Sequence, residues 1–485
     1  MSQLFTVLAI SALLSPAPDR EIPRHPKELV FPEIVFSPPE RAQYRHVLPC
    51  GVVVYIVEDH DLPLVDVVMT VRTGSYLEPE GKAGVASLTG SQMRSGGTLK
   101  QTPEEVDEEL AFLATNMSSG IGDTEGSASF NCLSKDLPRA LEIFFDMIRT
   151  PRFEPNRFEL ERSQILQSLQ RRNDQTASIE SREWERLLRG PGFFSTDRRT
   201  KASIEGITRA DLVAFHNRSY HPKHFLLAVA GDVRTEDVLV RLEALLKGWA
   251  KDPCPLDPVP PIPKPTNEPG PAAYLVDKPS VNQGRVTIGH LAPTRDHPDY
   301  HALGIMNQIL GGGGFTSRIT SRVRSDEGLA YTAASRLDLG TYYDGVFRAF
   351  FQSKSESVGK ATKIVLEEID RIRREKVTKE ELDTAVNYAV GLFPRAFSTA
   401  LSTATTLASE EFTGRSPHFW RSYREKIKAV TQEDVLRVAQ THLRPEKLLI
   451  LVVGNAEEIL KGGLSAGKVE RIPLPDPQTL EYAGK

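Results

Sequence analysis

Eleven histidines are the first candidates for metal or proton chemistry, and none lies between His60 and His216. A helical zinc pair needs imidazoles at i and i+4, with an acidic residue at hand as base. His297 and His301 have that spacing, but Pro298, Asp299 and Tyr300 separate them and no Glu stands between. They sit where a loop enters a helix, so a surface or capping role is expected. His221 and His224 flank Pro222 and read as turn residues. The glycine run Gly311–Gly314 leads into Phe315, Thr316, Ser317 and Arg318. It lacks the Gly-Lys-Ser/Thr close and the preceding strand of a phosphate loop. It reads as a mobile loop that an extended peptide can approach, because glycine presents no side chain. No Gly-x-Ser-x-Gly elbow or Cys/His nucleophile arrangement stands out. Cys50, Cys132 and Cys254 form no Cys-x-x-Cys and are too few for a disulfide framework.

These residues must be positioned by a chain of 485 residues, 40% hydrophobic and 26% charged. That is a globular mixture, which excludes collagen-like, coiled-coil and wholly disordered architectures. Sixty Lys+Arg against 64 Asp+Glu leave a net charge of -4. A chain whose main task is binding phosphate backbones carries a basic excess, so nucleic acid is not an expected partner. Leu4 to Leu14 is an apolar run followed by Ser15-Pro16-Ala17-Pro18. It is too short to span a bilayer and reads as a signal peptide over residues 1–20. With it the protein is exported, periplasmic or extracellular; without it, cytoplasmic. No other stretch is long and apolar enough for a membrane span.

From Pro253 to Pro271 nine of 19 residues are proline. Such a stretch cannot be helix or central strand and reads as a semi-rigid extended linker over residues 251–272. The flanking halves, 44–250 and 273–460, share a unit. Ile207–Val233 aligns without gaps on Val430–Ala456, Thr208 on Thr431, Asp211 on Asp434, Pro222 on Pro445 and Gly231 on Gly454. In both copies a Thr N-cap opens an amphipathic helix, a Pro turn ends it, and an apolar strand follows, closed by Gly. Strands are expected at Val52–Val57, Leu64–Arg72 and Val286–Leu291. Helices are expected from Thr102 to Leu113 and at Asp136–Ile148, Asn156–Arg172, Tyr300–Leu310, Val358–Arg374 and Glu380–Phe393. The elements do not alternate strictly as βαβ. The fold class is therefore α+β, with helices packed on a largely antiparallel sheet in each half. The tail, 461–485, reads as an irregular surface arm.

Gly51–Ser75 and the run Glu78-Pro79-Glu80-Gly81-Lys82-Ala83-Gly84-Val85-Ala86 resemble the opening of the pitrilysin/insulinase/mitochondrial processing peptidase family. Ile309-Leu310-Gly311-Gly312-Gly313 and Arg324-Ser325-Asp326-Glu327-Gly328-Leu329-Ala330-Tyr331 resemble its second half. The similarity runs from about Tyr44 to about Glu458. It implies two homologous halves forming half of a clamshell. Active members carry an inverted His-x-x-Glu-His zinc motif and a distal Glu. The corresponding positions here are Ser87, Gly90, Ser91 and Ser168. A serine hydroxyl is a poor neutral zinc ligand, and glycine has no group to move a proton. This chain is therefore expected to hold no catalytic residue, no metal ligand and no cofactor of its own.

The resemblance also implies that an Arg and a Tyr of the second half contact substrate near the scissile bond. Arg324 and Tyr331 stand at those positions, where a guanidinium and a phenol can donate to a peptide carbonyl. They are the expected substrate-binding residues. The alternative is a local structural contact between the helix and the strand. In bacterial two-chain members, one chain carries zinc and its homologue carries the Arg/Tyr pair. The expectation is a non-catalytic, substrate-binding subunit of a heterodimeric zinc metallopeptidase, with zinc in the partner chain and an unfolded peptide as substrate. The alternative is a scaffold or peptide-binding protein that takes no part in proteolysis.

Overall fold

Alternation along Leu64–Val71 decides which side of that strand faces the core. Val65, Val67, Met69 and Val71 are fully buried, while the residues between them are partly open. The computed structural model describes residues 25, 28–29, 36–249, 256–267, 269–464 and 467–482. The apolar leader at Leu4–Leu14 and Cys254 lie outside the described residues. No helix among the described residues is long and apolar enough to cross a membrane.

The first sheet contains β1 (Arg45–Val47), β2 (Val53–Glu58), β3 (Leu64–Val71), β4 (Asn116–Ile121), β5 (Gly126–Leu133) and β6 (Phe225–Gly231). Its order is β1-β2-β6-β3-β5-β4, antiparallel except for the parallel β2–β6 pair. The second contains β7 (Ala272–Asp277), β8 (Gln283–Ala292), β9 (Ala330–Asp338), β10 (Gly345–Lys354), β11 (Leu449–Gly454) and β12 (Val469–Ile472). Its order is β12-β7-β11-β8-β10-β9, with β12–β7 and β7–β11 parallel. Five strands therefore repeat in the same order, and the fold is α+β as expected.

The repeated unit is visible as structure. The helices Arg209–Ser219 and Gln432–His442 each start from a Thr in a capping box, Thr208 with Asp211 and Thr431 with Asp434. Each feeds a strand at a sheet centre, where both faces are covered. That explains why FLLAVA of β6 and LILVVG of β11 are buried without alternation. One face of each sheet packs on helices of its own half. Leu88, Leu141, Phe144 and Leu212 belong to the first core, and Leu303, Val365, Ile369 and Val438 to the second.

The other faces are covered reciprocally. The second-half helix Ala400–Phe412 lays Ala404, Leu407, Ala408 and Phe412 on Val53, Tyr55, Leu226 and Ala228 of the first sheet. The first-half helix Thr176–Arg189 lays Ile179, Trp184 and Leu188 on Val276, Val346, Leu449 and Leu451 of the second. Burying a Leu, Ile, Val or Phe side chain of this exchange stabilises by roughly 1.5–3 kcal/mol. Residues Pro38–Lys485 accordingly form one compact unit. Polar groups are matched within the exchange. Arg45 grips Glu411 through two bonds of 2.8 and 2.9 Å. Glu180 accepts from Arg285 and Thr287 at 2.5 Å.

Two expectations, the tail and the helix to Leu310, need correction. The tail is not an irregular arm: β12 pairs with β7, and the Tyr482 hydroxyl donates to Glu183 at 2.8 Å. A four-residue strand is too short for periodicity to reveal, and the open edge of β7 is what orders it. The described linker residues have no regular structure but are pinned to the first half. The Asp257 N–H donates to the Lys223 carbonyl at 2.8 Å, and Asn267 Nδ2 to that of Leu187 at 2.7 Å. The helix expected to reach Leu310 is α-helical only over Tyr300–Asn307. It widens into a π turn at Gln308–Gly312, so the first glycines belong to a packed helix end rather than a loop.

Candidate functional site

The helix Val85–Ser95 carries three of the four positions where active relatives bind and use zinc. It starts at Gly84, whose φ of +106° lies in the left-handed region that favours glycine. The Glu78 carboxylate caps this helix, accepting from the N–H groups of Gly84 and Ala86 at 2.9 and 3.1 Å. Burial pushes the Glu78 pKa up, against those bonds and the Arg198 charge. The hydroxyls that follow are turned back onto the helix. Ser87 donates to the Gly84 carbonyl at 3.1 Å and Thr89 to that of Val85 at 2.7 Å. Ser91 bonds to Glu161, whose other oxygen accepts from Gln92 Nε2 at 2.5 Å. Glu161 lies on the facing helix Pro155–Gln170, and Ser168 is exposed further along it. The Glu161 carboxylate is thus taken up by a serine and an amide.

The base position is closed sterically as well as chemically. A Cβ at Gly90 would lie 2.4 Å from the Ile121 amide nitrogen and 2.7 Å from the Gly120 carbonyl carbon, both on edge strand β4. Ser119 Oγ adds a 2.6 Å bond to the Gly90 carbonyl. The second half repeats this contact. A Cβ at Gly311 would lie 2.4 Å from the Ser335 amide nitrogen on edge strand β9. In each half, then, a helical segment beneath the edge strand is seated through a glycine. Beside Ser87 opens a cavity of about 220 Å³ lined by Glu78, Asp123, Asp197, Arg198 and Arg199. Its charges are largely internal pairs, Arg199 with Asp197 at 2.8 Å and Arg198 with Glu78 at 3.2 Å.

Arg324 and Tyr331 are brought together. Arg324 lies on a π turn, Ser321–Asp326, and Tyr331 near the start of β9. The Arg324 guanidinium carbon is 4.5 Å from the Tyr331 ring centroid and 4.5 Å from that of Phe315. The cation is therefore held between two aromatic faces. Tyr331 is 81% exposed and Phe315 66%. The neighbouring arginines are neutralised. Arg318 makes two bonds to Glu381 at 2.6 and 2.9 Å, and Arg322 reaches Glu368 at 2.8 Å. No carboxylate among the described residues pairs with Arg324. The two residues stack rather than hydrogen-bond, which leaves the guanidinium N–H groups and the phenol as donors not used on each other. Phe315 was not singled out from the sequence. Its signal was an aromatic directly after four glycines, a place where burial is not expected.

The four histidines singled out from the sequence make local contacts. His297 Nδ1 accepts from the Asp299 N–H at 3.1 Å, a capping contact at the helix entry. His301 packs among Tyr300, Phe419 and Tyr423, and burial lowers its pKa to about 4. His221 and His224 bracket a 3-10 turn.

Two interlocked halves, each a six-stranded sheet with an open edge strand beside a glycine-seated helix, define the class. The family descriptions "Insulinase (Peptidase family M16)" and "Peptidase M16 inactive domain" match residues 53–186 and 206–388. The chain belongs to peptidase family M16, the insulinase family. It is similar to an uncharacterized zinc protease of Streptomyces coelicolor, 24% identical over 353 residues, or 71% of this chain and 75% of the relative. It is also similar to a "non-peptidase homolog" of Helicobacter pylori, 21% identical across 86% of this chain and 94% of the relative. The crystal structure of a peptidase M16 inactive domain from Pseudomonas fluorescens superposes with a TM-score of 0.74 at 25% identity, covering 85% of this chain and 98% of that one. With Ser, Gly, Ser and Ser at the motif positions, this chain is an inactive member of the family.

Proposed function

We propose that this chain is the non-catalytic, substrate-binding subunit of a two-chain zinc metallopeptidase. A homologous partner chain supplies the zinc, and the substrate is an unfolded peptide. The observation that carries this reading is the unpaired Arg324 cation clamped between exposed Tyr331 and Phe315 while Arg318 and Arg322 are neutralised. Holding an uncompensated guanidinium in a fixed orientation is of use to a peptide carbonyl or carboxylate arriving from outside. Its place supports the same reading. Strand β9 is the last of its sheet, so its outer row of backbone groups can pair with an extended peptide. Export through the N-terminal apolar run would place this pair in the periplasm or outside the cell.

The test mixes this chain with a homologue that keeps His-x-x-Glu-His and follows cleavage of an unfolded peptide. Arg324→Ala should lower kcat/KM by about tenfold or more, as loss of a transition-state donor does. Arg324→Lys should recover only part, because an ammonium keeps the charge but not the planar stacking. Unchanged kcat/KM in the Arg324→Ala mixture would refute the proposal and favour a scaffold.

A further inference from the structure

His297, Asp299 and His442 bring one ligand atom each to within 4.8 Å of one another. His297 lies in the loop before the helix Tyr300–Asn307, Asp299 is that helix's N-cap, and His442 ends the helix Gln432–His442. His442 Nε2 is 2.8 Å from Asp299 Oδ2, and His297 Nδ1 is 3.8 Å from the same oxygen. These separations bracket the roughly 3.3 Å edge of a tetrahedron whose metal–ligand bonds are about 2.0–2.1 Å. The two rings meet edge to face with centroids 4.9 Å apart.

From this geometry we propose that His297, Asp299 and His442 form a site for a divalent transition metal of the zinc class, with water completing the coordination. Two imidazoles and one carboxylate suit zinc, cobalt, nickel or copper, whereas calcium and magnesium take oxygen ligands. The tautomer at His297 is already suitable. Its Nδ1 accepts from the Asp299 N–H at 3.1 Å and is therefore unprotonated, and a bound metal would take the lone pair in place of that hydrogen bond. The carboxylate is oriented from behind by Arg437, whose Nη2 is 2.8 Å from Asp299 Oδ1, the oxygen not turned to the histidines. Such outer contacts fix a ligating carboxylate, but a cation there also weakens its hold on a metal. His297 and Asp299 open onto a cavity of about 410 Å³, which gives an entry path and room for water. A bound ion would clip the start of the Tyr300–Asn307 helix to the end of Gln432–His442.

The full-length chain, stripped with a chelator, is titrated with Co²⁺ and followed by its visible absorption, then with competing Zn²⁺. The expected result is about one equivalent of Co²⁺ with the strong bands of low coordination, displaced by Zn²⁺. His297 is partly exposed, so His297→Ala should fold, and it should weaken binding by about 100-fold for loss of one of three ligands. Arg437→Gln should tighten binding several-fold, since it removes the opposing charge. An ion-pair cluster with no metal role would not show that gain. Absence of the bands, or the same affinity in wild type, His297→Ala and Arg437→Gln, would overturn the proposal.

Discussion

The seat of Gly90 predicts the outcome of an attempt to rebuild the enzyme. In an ordinary exposed helix interior, Gly→Ala stabilises by about 1 kcal/mol through backbone entropy. Here the new methyl would lie 2.4 Å from the Ile121 nitrogen and 2.9 Å from Gly120 Cα, against an ordinary contact of at least 3.4 Å. Strand β4 or the helix must therefore shift by about 1 Å, and the Ser119–Gly90 bond shifts with it. Overpacking of this kind costs about 1–3 kcal/mol, which exceeds the helix gain and reverses its sign. Gly90→Ala should lower the thermal unfolding midpoint by a few degrees in a scan of the full chain. The fourfold variant S87H/G90E/S91H/S168E should be less stable still and should not hydrolyse peptides, because its base would have to occupy the space of β4. An unchanged or raised midpoint for Gly90→Ala would show that β4 yields readily, and the steric part of the argument would fail.

Other consequences can be checked independently. Trp184→Ala removes a side chain that anchors the first half's helix on the second half's sheet. It should destabilise by about 3–5 kcal/mol and broaden unfolding, read by calorimetry. At Glu411 burial raises the pKa, but the Arg45 and Tyr55 bonds outweigh it and the net shift is downward. A carboxylate with a lowered folded pKa stabilises above its unfolded value, and that contribution is lost as pH falls through the folded one. Acid unfolding should therefore move to higher pH in Arg45→Ala, followed by circular dichroism from neutral to acid pH. An unmoved acid transition would contradict the pairing.

Much of the frame was legible because it depends on periodicity and punctuation. The capping boxes at Thr208 and Thr431, the apolar strands behind them and the helix Val358–Arg374 follow from local rules. The exchange of Thr176–Arg189 and Ala400–Phe412 did not. An amphipathic helix announces an apolar face but not which sheet receives it. The π turn at Gln308–Gly312 was hidden for a related reason, since a glycine run looks the same whether it loops out or packs beneath a strand. At the site, the erased motif could be read from residue types alone. The closure of Gly90 by β4, the capture of Glu161 by Ser91 and Gln92, and the clamp of Phe315 on Arg324 are contacts across 30, 70 and 9 residues or so, and only the folded chain brings them together.

The central claim, an inactive chain that completes a partner's site, is tested most directly by one three-way assay of peptide cleavage. Purified chain, zinc-bearing homologue and their equimolar mixture are compared on the same unfolded substrate. The account predicts no turnover by this chain with zinc present, and activity in the mixture well above that of the homologue alone. Turnover by this chain alone, or a homologue fully active without it, would contradict the account.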